Sequence, residues 1–490
     1  MVTLLGGIAL LVIGYFVYGG FIEKNFGIEP DRQTPAEVLQ DGMDFVPMPR
    51  WKNAIIELLN IAGTGPIFGP IMGALYGPVA YIWIVVGCIF GGAVHDYMVG
   101  MISLRNDGAH LPELSSKYLG KPMKHFVNIF SILLLLLVGT VFVTSPASLI
   151  ESLTPDFMTT GIIVALIFGY YIVSTFLPID KAMGKVYPWF GAILIISTIA
   201  IGLSLIFGGH ALPELTPAAI RLENVNGVKL FPAIFFTISC GAMSGFHATQ
   251  APMVSRTTTS EKQGRFLFYG MMIAEGVIAM IWAAASMSLF DGQTLSQMID
   301  AGTPSAVVNQ VSYMLLGNIF GTAAIIGVIV LPISSGLSAF RSLRNIIADY
   351  INLKQDNLKN VLLLTIPIFA VSFILTRVDF NLLWRYFNWA NQVIAVIALF
   401  VATRYLMYKK RNYLVALLPG TFMLYACLVY IVSEPIGFNL GLNASTYIIS
   451  LAVGVAILVF FFVTGNKQMA NLAERPDLTQ DHLPIGTFSK

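Results

Sequence analysis

Charge is scarce in this sequence. Asp, Glu, Lys and Arg make up 11% of the 490 residues, against about 25% in a soluble globular domain. That shortage leaves no room for a large soluble domain; the formal net charge of +2 says little by itself. Cysteine is scarce too. Cys88, Cys240 and Cys427 lie apart in apolar runs, with no CxxC and no metal-ligand spacing, so they read as small packed thiols. Catalytic signatures are missing: there is no P-loop, no HExxH and no cysteine–histidine cluster. Gly63-Thr64-Gly65-Pro66-Ile67-Phe68-Gly69 imitates a dinucleotide loop but follows no strand. The expectation is therefore a protein that is not an enzyme and carries no cofactor, with Na+ or H+ as the only bound ion, driven by an ion gradient and not by ATP.

What is present in excess is apolar residues, at 56% of the chain with a mean hydropathy of +0.76. Runs of about 17–25 apolar residues can cross a bilayer as helices. Thirteen stand at approximately 1–20, 54–76, 80–102, 126–149, 160–177, 188–208, 231–251, 267–290, 312–337, 360–376, 387–403, 412–432 and 445–464. The expected fold is all-α and polytopic. Residues 1–20 lack a basic leader region and a small-residue cleavage site, so they are expected to be an extra helix that is retained. Assigning the loops to alternate sides puts all but four of the 28 Lys and Arg residues on one side. The four are Arg221, Lys229, Arg377 and Arg385. The positive-inside rule then places the N-terminus outside and the C-terminus in the cytoplasm. Residues 21–53 become a cytoplasmic segment and 465–490 a cytoplasmic tail.

One apolar run cannot be a regular helix. Ile61-Ala62-Gly63-Thr64-Gly65-Pro66-Ile67-Phe68-Gly69-Pro70 holds three glycines and two prolines. Proline lacks a backbone donor and clashes with the preceding turn, while glycine makes a kink cheap. Freed backbone groups at membrane depth are tolerated where they line a cavity or bind something, so a discontinuous helix points to a substrate or ion site. A kink that serves packing alone is the other reading. A second break stands at Gly241-Ala242-Met243-Ser244-Gly245-Phe246-His247. Five spans run from the first break (54–208) and five from the second (231–403), with two further helices over 412–464. Because five is odd, the two sets enter the membrane in opposite orientation. That is the inverted five-plus-five plan of amino-acid/sodium-symporter-like carriers.

Polar residues at membrane depth complete the candidate site. A charge near the bilayer centre costs at least about 2.5–3.5 kcal/mol on insertion scales, so such residues face a cavity or a partner. Asp96, beside His95, could carry a proton or cation, pair with the broken helix, or pair with Arg105. Ser244, His247 and Gln250 follow the second break, where an imidazole could meet a carboxylate or move a proton. Glu275 has no basic neighbour in sequence and is a proton-carrier candidate, the alternative being a neutral Glu bonded across helices. Ser334 and Ser335 could ligate sodium with backbone at Ala62 and Gly65, or merely pack. Asn391-Gln392 could orient a ligand or join helices. The expected substrate contacts are Gly63, Thr64, Gly65, Ser244, Gly245, His247 and Asn391, with Asp96 and Glu275 in coupling. A channel or nutrient sensor of the same fold is the alternative function.

These segments resemble a known family. Ile61–Pro70, Gly92-Ala93-Val94-His95-Asp96-Tyr97, Arg105-Asn106-Asp107-Gly108 and Cys240-Gly241-Ala242-Met243-Ser244-Gly245-Phe246-His247-Ala248 look like the bacterial carbon-starvation (CstA) transporters. Asp41-Gly42-Met43-Asp44-Phe45-Val46-Pro47 and Ala390-Asn391-Gln392 also match that pattern. The resemblance implies an inner-membrane uptake carrier for peptides or pyruvate, in the amino-acid/polyamine/cation superfamily. The chain departs from the long members at two places. Ile56-Glu57 stands where they carry a His-His pair, and Ser334-Ser335-Gly336-Leu337-Ser338 where they carry an acidic D-A-G-T-R stretch. Both departures weigh against a direct copy of their proton coupling and toward sodium at Ser334 and Ser335. The expected partners are a small-molecule or peptide substrate and the lipid bilayer, with no nucleic acid. The substrate, the coupling ion and the oligomeric state stay open.

Overall fold

The computed structural model describes residues 1–175, 187–355 and 357–474. The loop carrying Lys181 and Lys185 and the tail beyond residue 474 lie outside the described residues. The described chain is helical throughout, its one strand-like feature being an isolated bridge between Glu223 and Lys229. Among the described residues nine helices are long and apolar enough to cross a membrane, ten when the bent pair Arg50–Ala62 and Gly65–Tyr76 is taken as one span. The three other expected spans coincide with the shorter helices Thr160–Thr175 and Gly191–Phe207 and with the interrupted pair Leu230–Thr237 and Phe246–Ser255. A count of thirteen thus depends on treating those three as spans. The first helix reaches Phe26, and the stretch Gly292–Ile351 is bent at Gly302, Thr303 and Gly317, so the segment bearing Ser334 begins after Gly317.

Both expected breaks are real interruptions. Arg50–Ala62 ends at Gly63, whose φ of 49° and ψ of −142° suit only a residue without a Cβ. Helix resumes at Gly65 with Pro66 in its first turn, where a missing N–H costs nothing. The two arms meet at 45°. In the second pair, helix stops after Thr237, Gly241 takes φ +87°, and helix restarts at Phe246.

The breaks cross each other. A Cβ on Gly65 would stand 2.0 Å from Cys240 Cβ, and one on Gly241 would stand 2.8 Å from Ala279 Cβ and 3.5 Å from Pro66 Cα. Hydrogen in place of a side chain is what lets the backbones approach so closely. Helices Val79–Leu104, Met271–Leu289, Phe380–Tyr408 and the long stretch Gly292–Ile351 enclose this crossing.

At one end of the bundle a buried arginine ties distant segments together. Arg105 donates to both carboxylate oxygens of Glu261 at 2.7 and 2.8 Å, to Tyr405 Oη at 2.9 Å and to the Gly27 carbonyl at 2.8 Å. Its guanidinium lies over the Phe26 ring, 4.4 Å from the centroid. Bidentate geometry and a full set of acceptors make this an arginine that can be buried.

Candidate functional site

Four helices bring ionisable side chains to the crossing. Helix Ala93–Leu104 supplies His95 and Asp96, the second arm Phe246–Ser255 supplies His247, Met271–Leu289 supplies Glu275, and the first arm Arg50–Ala62 supplies Glu57. All five are fully buried. Asp96 is the hub. Its Oδ1 accepts from His95 Nδ1 at 2.7 Å and its Oδ2 from His247 Nδ1 at 2.8 Å. Because Asp96 accepts from Nδ1, the opposite nitrogen of His247 faces Glu275, with Nε2 3.5 Å from Oε2. That separation is electrostatic contact, too long for a hydrogen bond. Glu57 lies within electrostatic range of Asp96, His247 and Glu275, and neither of its carboxylate oxygens finds a hydrogen-bond partner among the described residues. Buried carboxylates in this number are costly unless cations or protons offset them. The chain Glu275–His247–Asp96–His95 can pass or hold a proton at defined atoms.

The structure selects among the readings open for two of these residues. Asp96 does not pair with Arg105, which is saturated by Glu261, Tyr405 and the Gly27 carbonyl; it pairs with the second broken helix through His247. Glu275 is not a lone carboxyl, because the fold brings an imidazole to it from 28 positions upstream in the chain (residue 247 against 275).

The remaining candidates fall into two groups. Asn391 and Gln392 serve the freed backbone of the second break. Asn391 Oδ1 accepts from the Phe246 N–H at 2.6 Å and from Ser244 Oγ at 3.2 Å, capping the second arm, and Gln392 Nε2 donates to the Phe235 and Met243 carbonyls at 3.0 and 2.9 Å. Capping a half-helix at membrane depth is what makes the break stable. Gly245 is pressed against Asn391, since a Cβ there would stand 2.1 Å from its carbonyl oxygen. Gln250 reaches Thr249 and Ser342, at 2.8 and 3.5 Å.

Around the first break, Ser335 Oγ donates to the Leu59 carbonyl at 2.5 Å, and Ser338 Oγ to Asn60 Oδ1 at 2.6 Å. Ser334 Oγ donates within its own helix, to the Leu331 carbonyl at 2.7 Å. The serine pair thus does face the first broken helix, through Ser335, but one turn before Ala62. Gly63 abuts the Phe142 ring, and Thr64 Oγ1 is buried with no partner among the described residues.

Sequence reasoning overlooked Glu57, Cys240, Asn60 and Ser338 as site residues. Glu57 carried a signal, as a carboxylate inside Ala54-Ile55-Ile56-Glu57-Leu58-Leu59. Cys240 stands in the motif at the second break, but only folding places its sulfur within 4.8 Å of ligand atoms of His247 and Glu275.

The family profile described as Carbon starvation protein CstA matches residues 1–187 and 159–380. The chain belongs to the CstA family. Among its relatives is an uncharacterized membrane protein of Haemophilus influenzae, 44% identical over 346 residues, covering 60% of this chain and 93% of that one. The Peptide transporter CstA of Escherichia coli is 28% identical over 376 residues, covering 62% of this chain and 53% of its own. The Pyruvate/proton symporter BtsT of the same organism is 26% identical over 352 residues, with 58% and 48% covered. The chain thus spans about half the length of the relatives that carry a transport name. A solved structure, a mutant of the manganese transporter of Eremococcus coleocola, superposes with a TM-score of 0.52 over 88% of this chain and 99% of its own, at 12% identity. That likeness is one of fold alone. This CstA-family chain is a multi-pass membrane protein whose named relatives are transporters.

Proposed function

We propose that the protein is a cation-coupled secondary active uptake carrier of the bacterial inner membrane, importing peptides or pyruvate-like small carboxylates by alternating access. The observation that carries the reading is the contact between the two breaks, Gly65 on Cys240 and Gly241 on Pro66, with Asp96, His247 and Glu275 buried beside it. Two half-helices crossing at one point give a substrate carboxylate a positive helix end and give the site two rigid bodies that can rock. The reading includes thirteen spans in an inverted five-plus-five arrangement, with the N-terminus outside and the C-terminus in the cytoplasm.

In this scheme the substrate sits against the breaks at Gly63, Thr64, Gly65, Ser244, Gly245 and His247, with Asn391 holding the second arm in register. Asp96 and Glu275 carry the coupling proton on either side of His247. The alternative coupling ion is sodium. Ser334 and Ser335 stand on the helix that already touches the first arm at Leu59, and Thr64 Oγ1, with the backbone at Ala62 and Gly65, adds hard oxygen donors. The test is uptake of labelled pyruvate, and separately of a labelled dipeptide, into proteoliposomes with a proton gradient, a sodium gradient or neither. Gradient-driven accumulation of one substrate is expected. Loss of accumulation in Glu275→Gln would assign the proton, and loss in Ser335→Ala the sodium ion. Mere equilibration of both substrates under every gradient would overturn the carrier.

A further inference from the structure

The transport reading uses His247 and Glu275 but leaves the neighbouring thiol without a task. Cys240 Sγ, a nitrogen of His247 and a carboxylate oxygen of Glu275 all lie within 4.8 Å of one another, and all three residues are buried. Tetrahedral ligands of a zinc-class ion stand about 3.5 Å apart, given metal–ligand distances of about 2.0–2.3 Å. His247 Nε2 and Glu275 Oε2 are already 3.5 Å apart.

Three further features point to an ion. First, the donor atoms are under-committed. His247 Nε2 and both Glu275 oxygens are buried with no hydrogen bond of full geometry among the described residues, Cys240 standing nearest to the imidazole and the Gly241 backbone N–H nearest to the carboxylate, and Cys240 Sγ shares one weak hydrogen bond of 3.4 Å with Ser244 Oγ. Buried polar atoms of this kind ordinarily find a partner. Second, the imidazole is oriented as a ligand. Donating Nδ1–H to Asp96 Oδ2 at 2.8 Å fixes the tautomer that leaves a lone pair on Nε2, and His95 Nδ1 holds the other Asp96 oxygen at 2.7 Å. A carboxylate behind a metal-bound histidine is the usual supporting partner. Third, the charge needs it. Glu57, Asp96 and Glu275 are three fully buried carboxyl groups with no lysine or arginine bonded to them among the described residues, their basic neighbours being the imidazoles of His95 and His247, and a dication among them offsets charge that two imidazoles leave over.

We infer that Cys240, His247 and Glu275 form a binding site for a borderline divalent transition metal of the zinc and cobalt class, with Asp96 positioning His247. One sulfur, one nitrogen and one oxygen donor select such an ion over sodium, magnesium or calcium, which take oxygen alone. The site stands on these atoms and not on the carrier reading.

The test uses the purified full chain in detergent, with Co2+ as the probe. A near-ultraviolet thiolate-to-cobalt charge-transfer band is expected, displaced by Zn2+ and untouched by excess Mg2+. Cys240→Ser removes the band, Asp96→Asn weakens Co2+ binding about 10–100-fold, and Glu275→Gln weakens it at least as much. The double variant Cys88→Ala/Cys427→Ala, which removes the other two buried cysteines, keeps the band. Should Cys240→Ser not fold, that double variant still decides, because a thiolate band that survives it comes from Cys240. No band in the wild type, a band lost in the double variant, or displacement by Mg2+ would each overturn the site. None of these readouts needs transport, so failure of the carrier leaves the site testable.

Discussion

At the scale of single residues, environment decides what each polar group does. Asp44 shows this outside the membrane segments. Burial favours its neutral form, but Arg341 at 2.8 Å, Arg256 at 4.0 Å and the nearby Arg344 outweigh burial and hold its carboxyl down at about 2, against an ordinary 3.8. A carboxyl whose native pKa is depressed contributes stability that is complete above its unfolded value and is lost as pH falls through the native one. Asp44 therefore ties the segment before the first broken helix to Arg341 throughout the neutral range, and the tie loosens only between pH 3.8 and about 2. Hydrogen exchange over residues 41–49 should stay slow at pH 6–8. In Arg341→Ala the same amides should exchange faster at neutral pH, with a loss of about 1–2 kcal/mol for a partly exposed charge pair. Equal exchange in variant and wild type would show that the pair holds nothing.

At the scale of elements, the breaks are built by glycine and finished by side chains from other helices. Gly65→Ala would set a methyl 2.0 Å from Cys240 Cβ. Overpacking of that kind costs about 1–3 kcal/mol, so thermal unfolding in detergent should fall by several degrees. Gly241→Ala adds the strain of φ +87° to a 2.8 Å approach to Ala279, and it should be the worse of the two. Asn391 acts on the same element. Asn391→Leu would strip the Phe246 N–H of its 2.6 Å acceptor, and leaving a buried donor unmade costs about 1–3 kcal/mol. Asn391→Asp, which keeps an acceptor there, should recover much of that loss in the same melt.

At the scale of the whole molecule, Arg105 joins the end of the first helix, helix Ala93–Leu104, the segment at Glu261 and helix Phe380–Tyr408. Arg105→Ala leaves the fully buried Glu261 carboxylate with only the Glu29 N–H at 2.6 Å and Arg32 Nε at 4.0 Å, and should cost up to about 3–5 kcal/mol. Arg105→Ala/Glu261→Gln should be milder than the single variant, since no unpaired charge remains. A double variant as unstable as the single one would mean that packing and not charge dominates. Lysine at 105 should not substitute, because a point charge cannot meet both Glu261 oxygens, Tyr405 and Gly27 together.

The apolar helices, both breaks and the family were legible in the order of residues alone, because each of those is local. Span length follows from hydropathy, and an interruption follows from glycine and proline at Gly63–Pro70 and Gly241–Gly245. Asp96, His247 and Glu275 were legible too, because charge inside an apolar run is costly wherever the run ends up. What those residues do to one another had to await the folded chain. Of the partners open to it Asp96 took the broken helix, through His247, and not Arg105; Glu275 gained an imidazole, Glu57 came within range of both, and Asn391 became a cap. Cys240 is the clearest case. Its place beside the second break gives it no chemical role in sequence, yet its sulfur lies within 4.8 Å of ligand atoms of two groups from separate helices. Pairings across helices depend on the angle at which two broken backbones cross, and that angle is set by what packs at Gly65 and Gly241, which no window of sequence contains.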